Sequence, residues 1–199
     1  MAACHLLGVG HREIAHLNGL ASTGMSATAR GFMCALESGE DAVRPIVLHG
    51  KFNFDGGADL AEKLLDKHPK VTAIFAANDV MAFGVVQAVM GRGLRIPEDL
   101  SLIGFDNLLE DCAPATHHHP PTEIRAGISA VEILLRLARD KPKQIPEHRR
   151  LGVELIERQS CKPPVRRQCG KGTVTFAMTR VPTSGLLIVR SRTPFAALR

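Results

Sequence analysis

Residues 71–106, VTAIFAANDVMAFGVVQAVMGRGLRIPEDLSLIGFD, constrain the fold more than any other stretch of this 199-residue chain. They read as strand, helix, strand, with a polar residue closing each strand. Val71, Ile74 and Phe75 lead into Ala76-Ala77 and then Asn78-Asp79; Leu102, Ile103 and Phe105 lead into Asp106. Near-continuous apolar runs of this length are what strands of a parallel sheet require, because helices cover both of their faces. In open parallel sheets a ligand binds just beyond the carboxyl ends of the strands. Asn78 and Asp106 therefore stand where a polar small molecule would be gripped.

The rest of the body alternates in the same way. Residues 2–9 read as the end of a helix closed by Gly8 and Gly10, followed by a short strand, Ile14 to Leu17. Ala27 to Glu37 is a helix with Phe32, Met33 and Leu36 on one side; Cys34 is expected in the core with them. Ile46 to Leu48 is a strand. Asp59 to Lys67 is a helix with Leu60, Leu64 and Leu65 inward, stopped by His68-Pro69. Val71 to Ala76 is a strand, and Asn78 or Asp79 can cap a helix that runs through Met90 to Gly91 and Gly93. Ser101 to Phe105 is the next strand. Ile128 to Arg139 is an amphipathic helix, and Leu151 to Ile156 a last strand. Such alternation predicts βαβ units with right-handed crossovers, hence an α/β fold built on a parallel sheet.

Charge divides the chain. Of its 25 basic residues, seven lie in residues 165–199, which hold no acidic residue, so 18 basic and 20 acidic side chains precede them. The body is mildly acidic and offers no case for a nucleic-acid surface. The tail shows no helical period; its apolar runs, Val174 to Met178 and Leu186 to Val189, could pair as a hairpin, but a disordered tail is the expectation. No apolar run reaches the ~20 residues of a membrane helix. The first residues lack the basic segment of a signal peptide, which makes the cytoplasm the expected location and a membrane partner unexpected.

Chemical motifs are few. Gly8-Val9-Gly10 has Glu13 where a dinucleotide fingerprint needs glycine, and it precedes a strand. The five cysteines are odd in number and irregularly spaced, so reduced thiols are expected. His117-His118-His119 cannot all face one metal, and spaced ligands are absent, so no metal is expected. His11 and His16 are read as satisfied structural histidines. No nucleophile–base pair appears, so an enzyme is not expected, nor is a cofactor. Asp79 opens a helix, and capping alone accounts for it.

Four stretches in order carry a specific likeness: Gly10-His11-Arg12-Glu13-Ile14-Ala15; Arg30-Gly31-Phe32 leading to Ala35-Leu36; Ala73 through Gly84; and Arg92 through Asp106. Over about residues 2–164 the chain resembles the effector-binding region of the lactose-repressor/galactose-repressor family of bacterial transcription regulators. The resemblance implies a periplasmic-binding-protein-like (type I) fold of two lobes, with a small sugar-like effector between them. It implies Asn78 and Asp106 as hydrogen-bonding effector contacts and Phe52 as an aromatic packed on the ligand. The family usually carries an arginine three residues before the glycine of Gly31-Phe32. Thr28 stands there, with Arg30 nearby but out of register, so Thr28 is a candidate contact of altered chemistry. Buried Asn and Asp suit hydroxyl recognition, because such groups reject ligands that leave them unpaired.

The resemblance also implies a homodimer, with the helices 59–67 and 79–90 as candidate interface, and operator DNA reached only through an N-terminal headpiece missing from this chain. One lobe is largely complete and the other incomplete, so the helix 128–139 is expected to lack much of its apolar partner. Residues 1–164 form the partial effector-binding domain and 165–199 a non-family tail. Where the family pattern expects proline–threonine–threonine–isoleucine–arginine, Thr116 through Pro121 stands. Codons for that pattern read one base out of frame yield His-His-Pro-Pro, which points to a local frameshift there and another after Pro164. The alternative function is a solute-binding protein of a sugar transport system, which shares the fold.

Overall fold

The computed structural model describes residues 1–19, 27–38, 42–107, 122–139, 152–164 and 187–192. The elements run α1 (Ala2–Val9), β1 (Ile14–Asn18), α2 (Ala27–Glu37), β2 (Ile46–His49), α3 (Phe54–Lys67), β3 (Ala73–Ala76), α4 (Asp79–Gly91), β4 (Ser101–Phe105), α5 (Thr122–Arg139), β5 (Gly152–Ile156) and β6 (Leu187–Arg192). The strands form one sheet in the order β2-β1-β3-β4-β6-β5. Its first four members pair in parallel, as does β4 with β6, while β5 runs antiparallel to β6 at the edge.

Alternation along β1 and β3 sorts the core into two layers. Ala15, Leu17, Ile74, Ala76 and Leu102 face α3 and α4, which contribute Leu60, Leu64, Met81 and Val85. Ile14, Ala73, Phe75 and Ile103 face the other way, against Leu6 of α1 and Phe32 and Leu36 of α2. Both faces of these strands are buried, and β3 is accordingly an unbroken apolar run, while β1 carries His16 and Asn18 among its apolar residues.

Helix ends follow local chemistry. Gly10 sits at φ 104°, and its N–H bonds back to the Leu6 and Leu7 carbonyls, a left-handed cap that a side chain would strain. Asn53 caps α3 through Gly56 N. The helix therefore starts five residues before the expected Asp59, and Gly56-Gly57 lies inside it rather than before it. The reason is packing. A Cβ on Gly57 would stand 2.1 Å from the Met81 carbonyl oxygen, and one on Gly84 would stand 2.1 Å from that of Phe54. The two glycines let α3 and α4 touch backbone to backbone. Arg92, just past α4, ties the pair by ion pairs to Glu62 and, at 2.8 Å, to Asp66.

Cys34 is exposed, contrary to expectation. The buried stripe of α2 is Ala29, Phe32 and Leu36, and Cys34 lies about 200° around the helix from Phe32. Residues 160–162 return to the amino ends of the strands. Leu102 N donates to the Ser160 carbonyl at 2.9 Å, Ser160 Oγ donates back to the Leu102 carbonyl at 2.6 Å, and Lys162 N donates to Ser101 Oγ at 3.1 Å. His11 Nε2 donates to the Lys162 carbonyl and Nδ1 pairs with Thr72 Oγ1, each at 2.9 Å, so this histidine is satisfied.

Two expectations concern the second half. The helix expected at 128–139 begins earlier, at Thr122, and its apolar face is open: Ile128, Val131, Leu134, Leu135 and Leu137 are all exposed. Residues 187–192 form β6, which pairs with β4 and β5 inside the sheet, so this part of the tail is ordered where a disordered tail was expected. The other apolar run of the tail, 174–178, and the histidine run with its frameshift signature lie outside the described residues, as do Cys112 and Cys169.

Candidate functional site

The sheet order places a topological switch between β1 and β3. The connection after β1 crosses by α2 to β2 on one side, and the connection after β3 crosses by α4 to β4 on the other. The two helices pack on opposite faces, so the carboxyl ends of β1 and β3 open into a crevice. Backbone pairing continues to this rim, where Ala77 N donates to the Leu17 carbonyl at 2.9 Å and Gly50 N to the Asn18 carbonyl at 3.1 Å.

Each strand delivers a polar group there. Asn78 follows β3 and is buried, 6% exposed. Its Oδ1 accepts from Met81 N at 2.8 Å, so the cap fixes its side chain and leaves the amide nitrogen without a hydrogen bond among the described residues. Asp79 is buried in the first turn of α4. Asp106 follows β4 and is half-buried, at φ 96°; Asn107 follows at φ 64° and is buried. Two successive non-glycine residues in the left-handed region carry strain, which Asp and Asn tolerate better than other side chains. Asn107 is held there by Arg158, whose Nη2 donates to Oδ1 at 2.8 Å.

Phe52, in the turn after β2, is 50% exposed. Its ring lies over Gly19 just beyond β1, where an added Cβ would stand 1.7 Å from Phe52 Cδ2. Thr28 is exposed on the first turn of α2, and its side chain makes no hydrogen bond among the described residues. Strand order thus gathers Asn78, Asp106 and Phe52 along one edge of the sheet, whereas Thr28 stands apart on a helix.

Three further polar residues lie along this face. Asn18, at the end of β1, is buried, and its Nδ2 lies 3.2 Å from Nδ1 of exposed His49, at the end of β2. His16 lies one step inward, fully buried, stacked on Phe75 with ring centroids 4.9 Å apart and tilted on Phe32 at 5.4 Å. Its Nδ1 donates to the Phe75 carbonyl at 3.0 Å, but Nε2 has no partner among the described residues, so this histidine is not fully satisfied as expected. Burial lowers its pKa to about 4, against the Phe75 carbonyl, which favours the cation. The signal for Asn18 and His49 is in the sequence: IAHLN and IVLH each end an apolar run on a polar residue, as the strands before Asn78 and Asp106 do.

Among the described residues no cluster of His, Cys, Asp or Glu could hold a metal ion, and no helix is long and apolar enough to cross a membrane.

The periplasmic binding protein-like domain profile matches residues 3–161. The HTH-type transcriptional repressor PurR of Haemophilus influenzae (strain PittEE) is 35% identical over 169 residues, covering 81% of this chain and 50% of that protein. A LacI family transcriptional regulator from Enterococcus faecium, solved with bound ribose, superposes with a TM-score of 0.65 at 30% identity, over 81% of this chain and 61% of that one. A dimeric Lac repressor with an 11-residue C-terminal deletion gives a TM-score of 0.67 at 27% identity, over 82% of this chain and 60% of that one. The chain spans about a third to a half of the length of the curated relatives it matches.

Proposed function

Because this chain belongs to the periplasmic binding protein-like family, in the form carried by LacI-family regulators, we propose that it is the effector-sensing part of a transcription regulator, a repressor, and that its strand-end rim takes a small sugar-like ligand. One observation carries the assignment of the site: adjacent strands β3 and β4 end at the rim in Asn78 and Asp106, the first fixed by its cap and the second by a left-handed backbone. Both groups are oriented before any ligand arrives, which lowers the ordering cost of binding. Phe52 supplies an apolar wall beside them, and Thr28 is the outlying fourth contact.

The regulator works by coupling, not catalysis. An effector that binds one lobe arrangement better shifts the population toward it, and the preference is read out as a change in operator affinity. Operator DNA is met by a headpiece outside residues 1–199, and the protein acts in the cytoplasm, where that DNA lies. The α3–α4 face is the candidate homodimer surface; two-fold pairing would make it self-complementary. Repressor relatives and the ribose-bound neighbour support this reading over a transport solute-binding protein. No cofactor or metal enters it.

Calorimetric titration of the 199-residue chain with D-ribose and a panel of hexoses, sugar acids and nucleobases tests the proposal. Saturable binding of at least one compound, weakened about tenfold or more by Asp106→Ala, is expected. Binding by none of them would refute it.

A further inference from the structure

Along β1 the face toward α2 changes character. Ile14 is apolar, His16 is a buried imidazole and Asn18 a buried carboxamide, while Ala15 and Leu17 on the opposite face stay apolar. The parallel register sets Asn18 beside His49 of β2, and the side chains meet at 3.2 Å, Nδ2 to Nδ1. A carboxamide nitrogen only donates, so His49 Nδ1 accepts, and the neutral ring must carry its proton on Nε2. Asn18 is 3% exposed and cannot itself be the outward partner; His49 is exposed. The buried residue therefore fixes tautomer and ring orientation, and the exposed one presents an N–H donor. Three residues further on, Phe52 stands against Gly19 at the end of β1, placing an apolar ring at the same stretch of rim. One step inward, His16 Nε2 is a buried acceptor with no partner among the described residues. A polar column ending in an oriented donor is costly if it serves packing alone, since unpaired buried polar groups destabilise.

We infer that His49, held by Asn18, is a specificity-determining hydrogen-bond donor of the effector rim, recognising an oxygen of a polyhydroxylated ligand beside the Phe52 ring. Asn18 is its positioning residue. The inference rests on the effector reading above and adds a contact on β2 to those on β3 and β4. A ligand bearing only donors at this position would be rejected, because His49 Nδ1 is already engaged by Asn18.

Long-range proton–nitrogen spectra of the imidazoles, recorded on the full chain during titration with D-ribose, test it together with affinities of variants. The free chain should show His49 as the Nε2–H tautomer, and Asn18→Ala should turn this into a mixture. Ribose should move the His49 Nε2 signal. His49→Phe should weaken ribose binding about tenfold, while His49→Gln, which keeps a side-chain N–H, should retain most of the affinity. His49→Phe also takes an acceptor from buried Asn18 and should lower the thermal midpoint, whereas His49→Gln keeps a carbonyl acceptor and should hold it near the parent's, so affinities are compared well below both midpoints. If His49→Phe binds ribose as tightly as the parent while Asp106→Ala still weakens it, the His49 inference is overturned and the effector reading stands. If the parent binds no compound of the panel, or Asp106→Ala has no effect, the assignment of the rim falls and His49 with it; if it binds only nucleobases, the effector reading stands and the His49 inference is overturned.

Discussion

Asn78 is fixed by the helix it opens. Its Oδ1 caps α4, and removing such a cap costs about 1 kcal/mol. Asn78→Ala should therefore lose about that much in a urea melt, and Asn78→Asp should recover it, because a carboxylate caps equally well. His16 sets a pH dependence. Its folded pKa of about 4 lies below the unfolded value of about 6.5, so below pH 6.5 the unfolded chain binds a proton that the native one refuses. Stability is thus full above pH 6.5 and falls as the pH drops toward 4. His11, also lowered mainly by burial, acts in the same direction. Urea midpoints at pH 7 and pH 4.5 should differ accordingly. His16→Phe should reduce that difference without abolishing it, since His11 still titrates.

At the scale of elements, the contact between α3 and α4 is the tightest joint. Gly57→Ala or Gly84→Ala would push a methyl into a facing backbone and should cost about 1–3 kcal/mol, read as a lower urea midpoint. The same joint explains a failure of sequence reading. Gly56-Gly57 looks like a break before a helix, because nothing local reveals that Met81 packs against it. Strands β3 and β4 and helix α4 were legible because each is written in its own residues: apolar runs for strands buried on both faces, and Asn-Asp opening a helix. The roles proposed for Asn78, Asp106 and Phe52 came from resemblance as much as from pattern. Asn18 and His49 each close a strand on a polar residue, a signal the sequence holds, but their pairing shows only in the register between β1 and β2, two segments 31 residues apart. The left-handed turn at Asp106-Asn107 leaves no mark that reading along the chain would separate from an ordinary strand end. Cys34 was misplaced by counting hydrophobic neighbours instead of angles around α2.

For the molecule as a whole, the open face of α5 dominates solution behaviour. Ile128, Val131, Leu134 and Leu135 are each more than half exposed, a surface that favours association. A triple substitution, Ile128→Glu, Val131→Glu and Leu135→Glu, should lower dye binding and light scattering while leaving the melting temperature of the sheet unchanged. A drop in that temperature would mean the face packs against the body. The other whole-molecule feature is the seam at the amino edge of the sheet, where His11 meets Lys162 across 151 residues of chain. Closing so long a loop is entropically unfavourable, and such contacts form late. During synthesis, the eleventh residue waits for the hundred and sixty-second. The strand ends that form the rim are all made before then, yet β4 keeps the Leu102 backbone unpaired on that side until Ser160 has emerged. A growing chain therefore owns every rim residue well before it owns the clasp that steadies the strands behind them.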